Sequence, residues 1–358
     1  MNWYNFIFFW IIIMAIVANN ANVTTSTNLM GEKVYRWKFF AALIAFLPVF
    51  FLASMGKPRF DTVAYLTNYN NLPTDFAEIK KYLSETESGK GFVVFQYIIK
   101  TLFNGSESAF RIILAAIHSI PVLLIFRKYS DNYIMSLYLF VASACHIGWM
   151  MNGLRQFMAV AIIMAATPLM LKKKYVPLIG IICLAATIHS SALIMLPVVF
   201  IVPGKAWNKK TLFYILIALV GMYAFNTYTD LLDTLLIGTE YEGATSSWIS
   251  LGDDGVNPLR VIVNIIPMGL AWIGRRIIEK DNNPVINLCI NMSIITVGLY
   301  LIAMVTSGIM LGRLPIYTSL YNYILLPYLV KRIFNKESYH FVVSLMVILY
   351  FVYYLFET

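Results

Sequence analysis

Residues 150–162 read MMNGLRQFMAVAI, with Asn152, Arg155 and Gln156 set into an otherwise apolar run. Arginine carries a permanent charge on a planar fork of N–H donors, a shape that suits phosphate and carboxylate. At membrane depth such a charge is costly and faces a polar cavity. Arg111, Arg260 and Arg313 stand at the corresponding ends of three other apolar segments, and Arg59 lies in the loop after the second segment. Any one of them is explained by snorkelling to lipid headgroups. Together, on the side of the chain where cations are scarce, they point to an anion site.

Acid–base candidates lie on the same side. Asp61 in GKPRFDTVAYLTNY and Glu87 in ETESGKGF each suit a general base on a hydroxyl, or an ion pair with one of the arginines. His189 in TIHSSALIMLP joins two apolar segments, beside Ser190 and Ser191. His146 falls at another helix end, and His118 shares a face with Arg111 seven residues before it. A lone buried histidine of that kind is ordinarily structural. HExxH, CxxC, GxSxG and Walker patterns are all missing, so no metal and no cofactor is expected. Cys145, Cys183 and Cys289 lie inside apolar runs and read as reduced core residues.

These residues must be positioned by membrane helices. The chain has 358 residues, 59% hydrophobic and 13% charged, with mean hydropathy +0.72. That composition excludes an ordinary soluble domain. A span needs about 20 residues to cross about 30 Å of hydrocarbon. Apolar segments near 3–18, 37–54, 109–126, 133–149, 154–171, 175–189, 190–203, 211–226, 259–275, 285–305, 314–330 and 339–356 give an all-α polytopic protein of about twelve spans. The first reads as a span rather than a cleaved signal, for want of a basic n-region. GFVVFQYIIKTLF at 91–103 is about 20 Å as a helix, too short to cross, and reads as interfacial or re-entrant. Its Gln96 and Lys100 share one face.

Taking alternate loops as one side collects 17 of the 27 basic residues there, while the other side holds 13 of the 18 acids. The positive-inside rule makes the basic side cytoplasmic. The net charge of +9 follows from that asymmetry, and no nucleic-acid partner is implied. The chain reads as one membrane domain, 1–358, with long outer loops at about 55–108 and 227–258. A helix opens in the first at Asp75, with Glu78 completing a capping box and Phe76, Ile79, Tyr82 and Leu83 as its apolar face. The sequon Asn22-Val23-Thr24 falls inside and is discounted.

The pattern resembles the EpsG family of Wzy-like exopolysaccharide and O-antigen polymerases. The matching features are Asp61-Thr62-x-x-Tyr65 with Tyr69 beyond it, Glu87 before Gly91-Phe92, Asn152-Gly153-Leu154-Arg155-Gln156, and His189-Ser190-Ser191-Ala192-Leu193. Arg313 with Tyr317 matches more loosely. The resemblance is densest over about 55–200. It implies a GT-C-like glycosyltransferase, metal-independent, in the bacterial cytoplasmic (inner) membrane. Such an enzyme transfers a glycan from undecaprenyl diphosphate to a lipid-linked repeat unit on the periplasmic or outer face. Arg155, Arg313, Arg59, Arg111 and Arg260 would then hold the diphosphate. Asn152 and Gln156 would add neutral hydrogen bonds, and Tyr65, Tyr69, Trp149 and Trp248 would offer rings to sugars. The base is His189, Glu87 or Asp61, with no choice among them. Membrane lipid, a chain-length regulator and a flippase are candidate partners. The rival readings are a flippase or transporter of the same lipid-linked oligosaccharide, an acyltransferase, and a non-catalytic assembly partner. A flippase calls for charge deep in both halves of a cavity, and here it gathers at one face.

Overall fold

The structure is a computed structural model that describes residues 3–17, 22–58, 61–227, 255–308 and 311–357. Arg59, Trp248 and nearly all of the acidic loop expected at 227–258 lie outside the described residues. The described chain forms two compact units, Met1–Leu196 with Leu326–Thr358, and Pro197–Leu325.

The first unit opens with α1 (Trp3–Ile16), a hairpin of β1 (Val23–Thr27) and β2 (Lys33–Trp37), and α2 (Phe39–Met55). The strands pair antiparallel from Val23 with Trp37 to Thr27 with Lys33. The described chain is nearly all helical, as expected, and this short hairpin is a local departure from it. Val23, Thr24, Thr25 and Thr27 are β-branched, and such residues favour a pleated strand. Next come α3 (Asp61–Asn71), α4 (Phe76–Glu85), α5 (Lys90–Leu102), α6 (Glu107–Tyr129), α7 (Tyr133–Ala142), α8 (Cys145–Met151), α9 (Leu154–Ala165), α10 (Thr167–Leu171) and α11 (Tyr175–Ile188). A one-turn 3-10 helix, Ser190–Ile194, leads into α12 (Met195–Ile201).

The second unit holds α13 (Lys209–Thr227), α14 (Pro258–Ile273), α15 (Arg275–Asp281), α16 (Pro284–Met304), a 3-10 turn at Leu311–Arg313 and α17 (Ile316–Ser319). The chain returns through α18 (Asn322–Ile333) and ends in α19 (Lys336–Glu357). In this unit α16 is apolar and buried along most of its length. Its buried Asn291 donates to the carbonyls of Val202 at 2.8 Å and Lys205 at 3.1 Å, while its Oδ1 has no hydrogen-bond partner.

Helices coincide with all the expected apolar segments, but several are broken. Among the described residues three, α6, α16 and α19, are long and apolar enough to cross a membrane, and up to five if each of two bent pairs counts as one span. The protein is a helical membrane protein; the described residues support three to five of the expected twelve or so spans by length and composition. In the run expected at 133–149, α7 and α8 meet at 71°, and Ala144 at the corner has φ +56°. The charges of α6 match its dipole: Ser106 caps the start, Glu107 follows, and Arg127 and Lys128 close the end.

The segment expected on the outer side forms the helices that the pattern predicts, with two exceptions on the face of α4. Asp75 caps α4 by accepting from the amides of Ala77 and Glu78. Ile79 is buried, but Phe76 and Tyr82, both expected on the apolar face, are 74% and 38% exposed. Gln96 and Lys100 do share a face, and both grip α3. Gln96 donates to the Tyr65 carbonyl at 3.4 Å. Lys100 Nζ donates to the carbonyls of Tyr69, Asn70 and Leu72 at 3.0, 2.7 and 2.6 Å. Burial lowers the pKa of Lys100, and the three carbonyls hold the ammonium against that pull.

Candidate active site

Arg155 lies on the first turn of α9, whose start is set by a chain of close contacts. Gly153 caps the helix without a side-chain bond, and a Cβ on it would meet the Trp149 ring at 2.5 Å. His118 of α6 hydrogen-bonds through Nε2 to the Leu154 carbonyl at 3.1 Å. That bond makes His118 a structural tie between α6 and α9. His146 is likewise buried, its ring beside Phe140.

The Arg155 guanidinium lies over the Tyr65 ring, 5.8 Å from its centre. Gly89, at φ +75°, forms the opposite wall: a Cβ there would stand 2.5 Å from Nη1 of Arg155 and 3.2 Å from the Ile188 carbonyl. Only glycine fits both that backbone angle and that space. Arg155 Nε is buried and has no hydrogen-bond partner. Leaving a buried donor unpaired costs roughly 1–3 kcal/mol, and more for a charged group. The residue belongs to the first turn of α9, whose amides are capped by no side chain. A positive helix end next to an under-satisfied guanidinium is a site for an anion.

The candidate bases are tied to this point through their neighbours in the chain. The Asp61 amide donates to Asn152 Oδ1 at 3.1 Å, which ties the start of α3 to the residue before Gly153. Thr62 Oγ1 donates to the Met151 carbonyl and adds a second tie. Asp61 itself is exposed, as is Glu87, which precedes Gly89 by two residues. His189 follows Ile188 in an extended conformation at the end of α11. Its Nδ1 is 2.7 Å from Ser191 Oγ, which also accepts from Gln156 Nε2 at 3.4 Å. A polar chain thus runs from α9 to the histidine. Ser191 and Gly89 were not among the expected site residues. HSSAL and GKG were the only local signals for them.

Other expected members lie elsewhere. Tyr69 is fully buried, its ring stacked on Phe110 at 4.5 Å and its hydroxyl donating to the Ser106 carbonyl at 3.3 Å. It presents no face to a sugar and is a core residue with Phe92, Leu114 and Leu154. Burial raises its pKa, and Glu107 adds to that. Arg111 donates through Nη2 to the Gly56 carbonyl, which anchors the end of α2. Arg260, in α14, and Arg313, in the 3-10 turn, belong to the second unit. There they flank one core cluster: Gly312 abuts Val256, four residues before Arg260. Arg59 is outside the described residues. Among the described residues, no three His, Cys, Asp or Glu side chains gather closely enough to hold a metal ion.

The EpsG family model matches residues 39–358, which include every one of these positions. The chain belongs to the EpsG family. No curated protein and no solved structure matches it. For this EpsG protein, family membership indicates a polysaccharide polymerase-like function. The match begins at the first residue of α2, so α1 and the hairpin lie outside it.

Proposed function

We propose that this EpsG protein is a polysaccharide polymerase that transfers a glycan from undecaprenyl diphosphate to a lipid-linked repeat unit on the outer face of the bacterial cytoplasmic membrane. The observation that carries the reading is Arg155, a charged group with a buried, unpartnered Nε at the uncapped start of α9. In glycosyl transfer an acceptor hydroxyl attacks the anomeric carbon, and the bond to the diphosphate breaks. Negative charge grows on that leaving group, and a fixed guanidinium with helix amides stabilises it without metal assistance. The hydroxyl's proton passes to a base. His189 is the best oriented of the three, since Ser191 fixes its ring and Gln156 fixes Ser191. Asp61 and Glu87 are the alternatives. Tyr65, already beneath Arg155, is positioned to carry a sugar ring.

The test is reconstitution in lipid with an undecaprenyl diphosphate-linked oligosaccharide, with EDTA present and products resolved as a ladder. Wild type forms the ladder, and Arg155→Ala loses about 100-fold or more in rate. Arg155→Lys does not recover it, because an ammonium lacks the planar fork. A ladder undiminished in Arg155→Ala would overturn the role of that arginine. Lipid-linked sugar crossing the bilayer unpolymerised would replace the enzyme with a flippase.

A further inference from the structure

Within the first unit, α1, α7 and α19 leave an apolar cleft of about 560 Å³ between them. Drug-sized ligands and cofactors occupy pockets of about 300–1,000 Å³. Three rings line it and touch one another: Phe8 lies 5.9 Å from Tyr138 and 5.4 Å from Phe351. The Tyr138 hydroxyl donates to the Val347 carbonyl at 2.6 Å, so the one polar group of that floor is turned into the protein. Ile12 and Ile348 form its lips and are 56% and 58% exposed. At one end the cleft reaches Trp37 of the hairpin and Asn132 before α7.

That end is cationic. Arg127 Nε donates to the Trp37 carbonyl at 2.6 Å, and Arg36 Nη1 donates to the Ser130 carbonyl. Lys331 Nζ stands 3.9 Å from Asp131. Three cations therefore meet one carboxylate where the apolar cleft ends. Burial, the largest influence, disfavours the Arg36 charge; Asp131 opposes that and Arg127 adds to it.

We infer that this cleft is a binding site for an anionic glycerophospholipid, with an acyl chain against Phe8, Tyr138 and Phe351 and the phosphate at Arg36, Arg127 and Lys331. Charge complementarity selects this occupant. A second copy of the chain would bring the same cations against these. A zwitterionic lipid would leave their excess charge unanswered. By the positive-inside assignment the lipid belongs to the cytoplasmic leaflet, where anionic headgroups draw basic side chains. The inference is independent of the Arg155 site.

Native mass spectrometry of the full chain, incubated with equal phosphatidylglycerol and phosphatidylcholine, tests it. Phosphatidylglycerol is retained over phosphatidylcholine by about fivefold or more, since each basic residue near an anionic surface adds attraction of that order. Ile348→Trp fills the cleft from an exposed position and removes both lipids, with the melting temperature unchanged. Lys331→Gln keeps phosphatidylcholine binding and lowers the preference. Equal retention of the two lipids, undiminished retention in Ile348→Trp, or a two-chain species in place of the lipid would each overturn the inference.

Discussion

Arg155 is packed closely at the start of α9, and Gly89 makes the room for it. Gly89→Ala should therefore act on the site more than on the fold. The left-handed backbone adds about 1–3 kcal/mol of strain. The new methyl displaces the guanidinium, and a misplacement of this size costs about 100-fold in rate. Gly31→Ala is the control: φ is +81° there, but nothing lies within 4 Å. It should lower the melting temperature similarly and leave the ladder assay untouched. Equal activity in both variants would remove Arg155 from the reaction. Asn152, Arg155, Gln156 and HSSAL were legible as polar outliers in apolar runs. Gly89 was not, because its constraint comes through space from a side chain 66 positions away. Tyr69 was misread, since a loop aromatic has the same sequence signature whether it stacks on a sugar or on Phe110.

At the level of elements, α5 acts as a clamp on α3. Lys100→Met removes three carbonyl partners at once while keeping the length of the side chain. Hydrogen bonds to a charged group are worth about 1.5–3 kcal/mol, so the variant should lose roughly that in stability. Thermal unfolding of detergent-solubilised protein measures it, and an unchanged midpoint would show that water replaces the ammonium without cost. The shared face of Gln96 and Lys100 was readable from their spacing of four. The corner between α7 and α8 was not, because Ser143 and Ala144 carry no proline or glycine to mark it. Hydropathy reports where apolar residues are. It does not report where their helix stops, since tertiary packing decides whether a break is tolerated.

On the scale of the whole molecule, the charge asymmetry predicts which loops face outward. Ser88→Cys, in a background without Cys145, Cys183 and Cys289, should react with an impermeant maleimide on intact cells. Lys173→Cys should react only after permeabilisation. The reverse pattern would turn the site toward the cytoplasm and end the outer-face reading. The family match covers α2 to α19. The lipid cleft draws part of its wall from α1 and the hairpin, outside that match.

The segment from α3 to α5 is unevenly fastened. α3 is pinned at its start by Asn152 and Thr62 and at its end by Lys100. α4, by contrast, buries a single side chain, Ile79. Local opening follows the weakest contacts. The cheapest excursion of this region is thus a lifting of α4 that leaves α3, Tyr65 and the guanidinium in register. On the polymerase reading proposed above, that division would let a lengthening chain slide past a hinged flap while a fixed jaw keeps hold of its anchor.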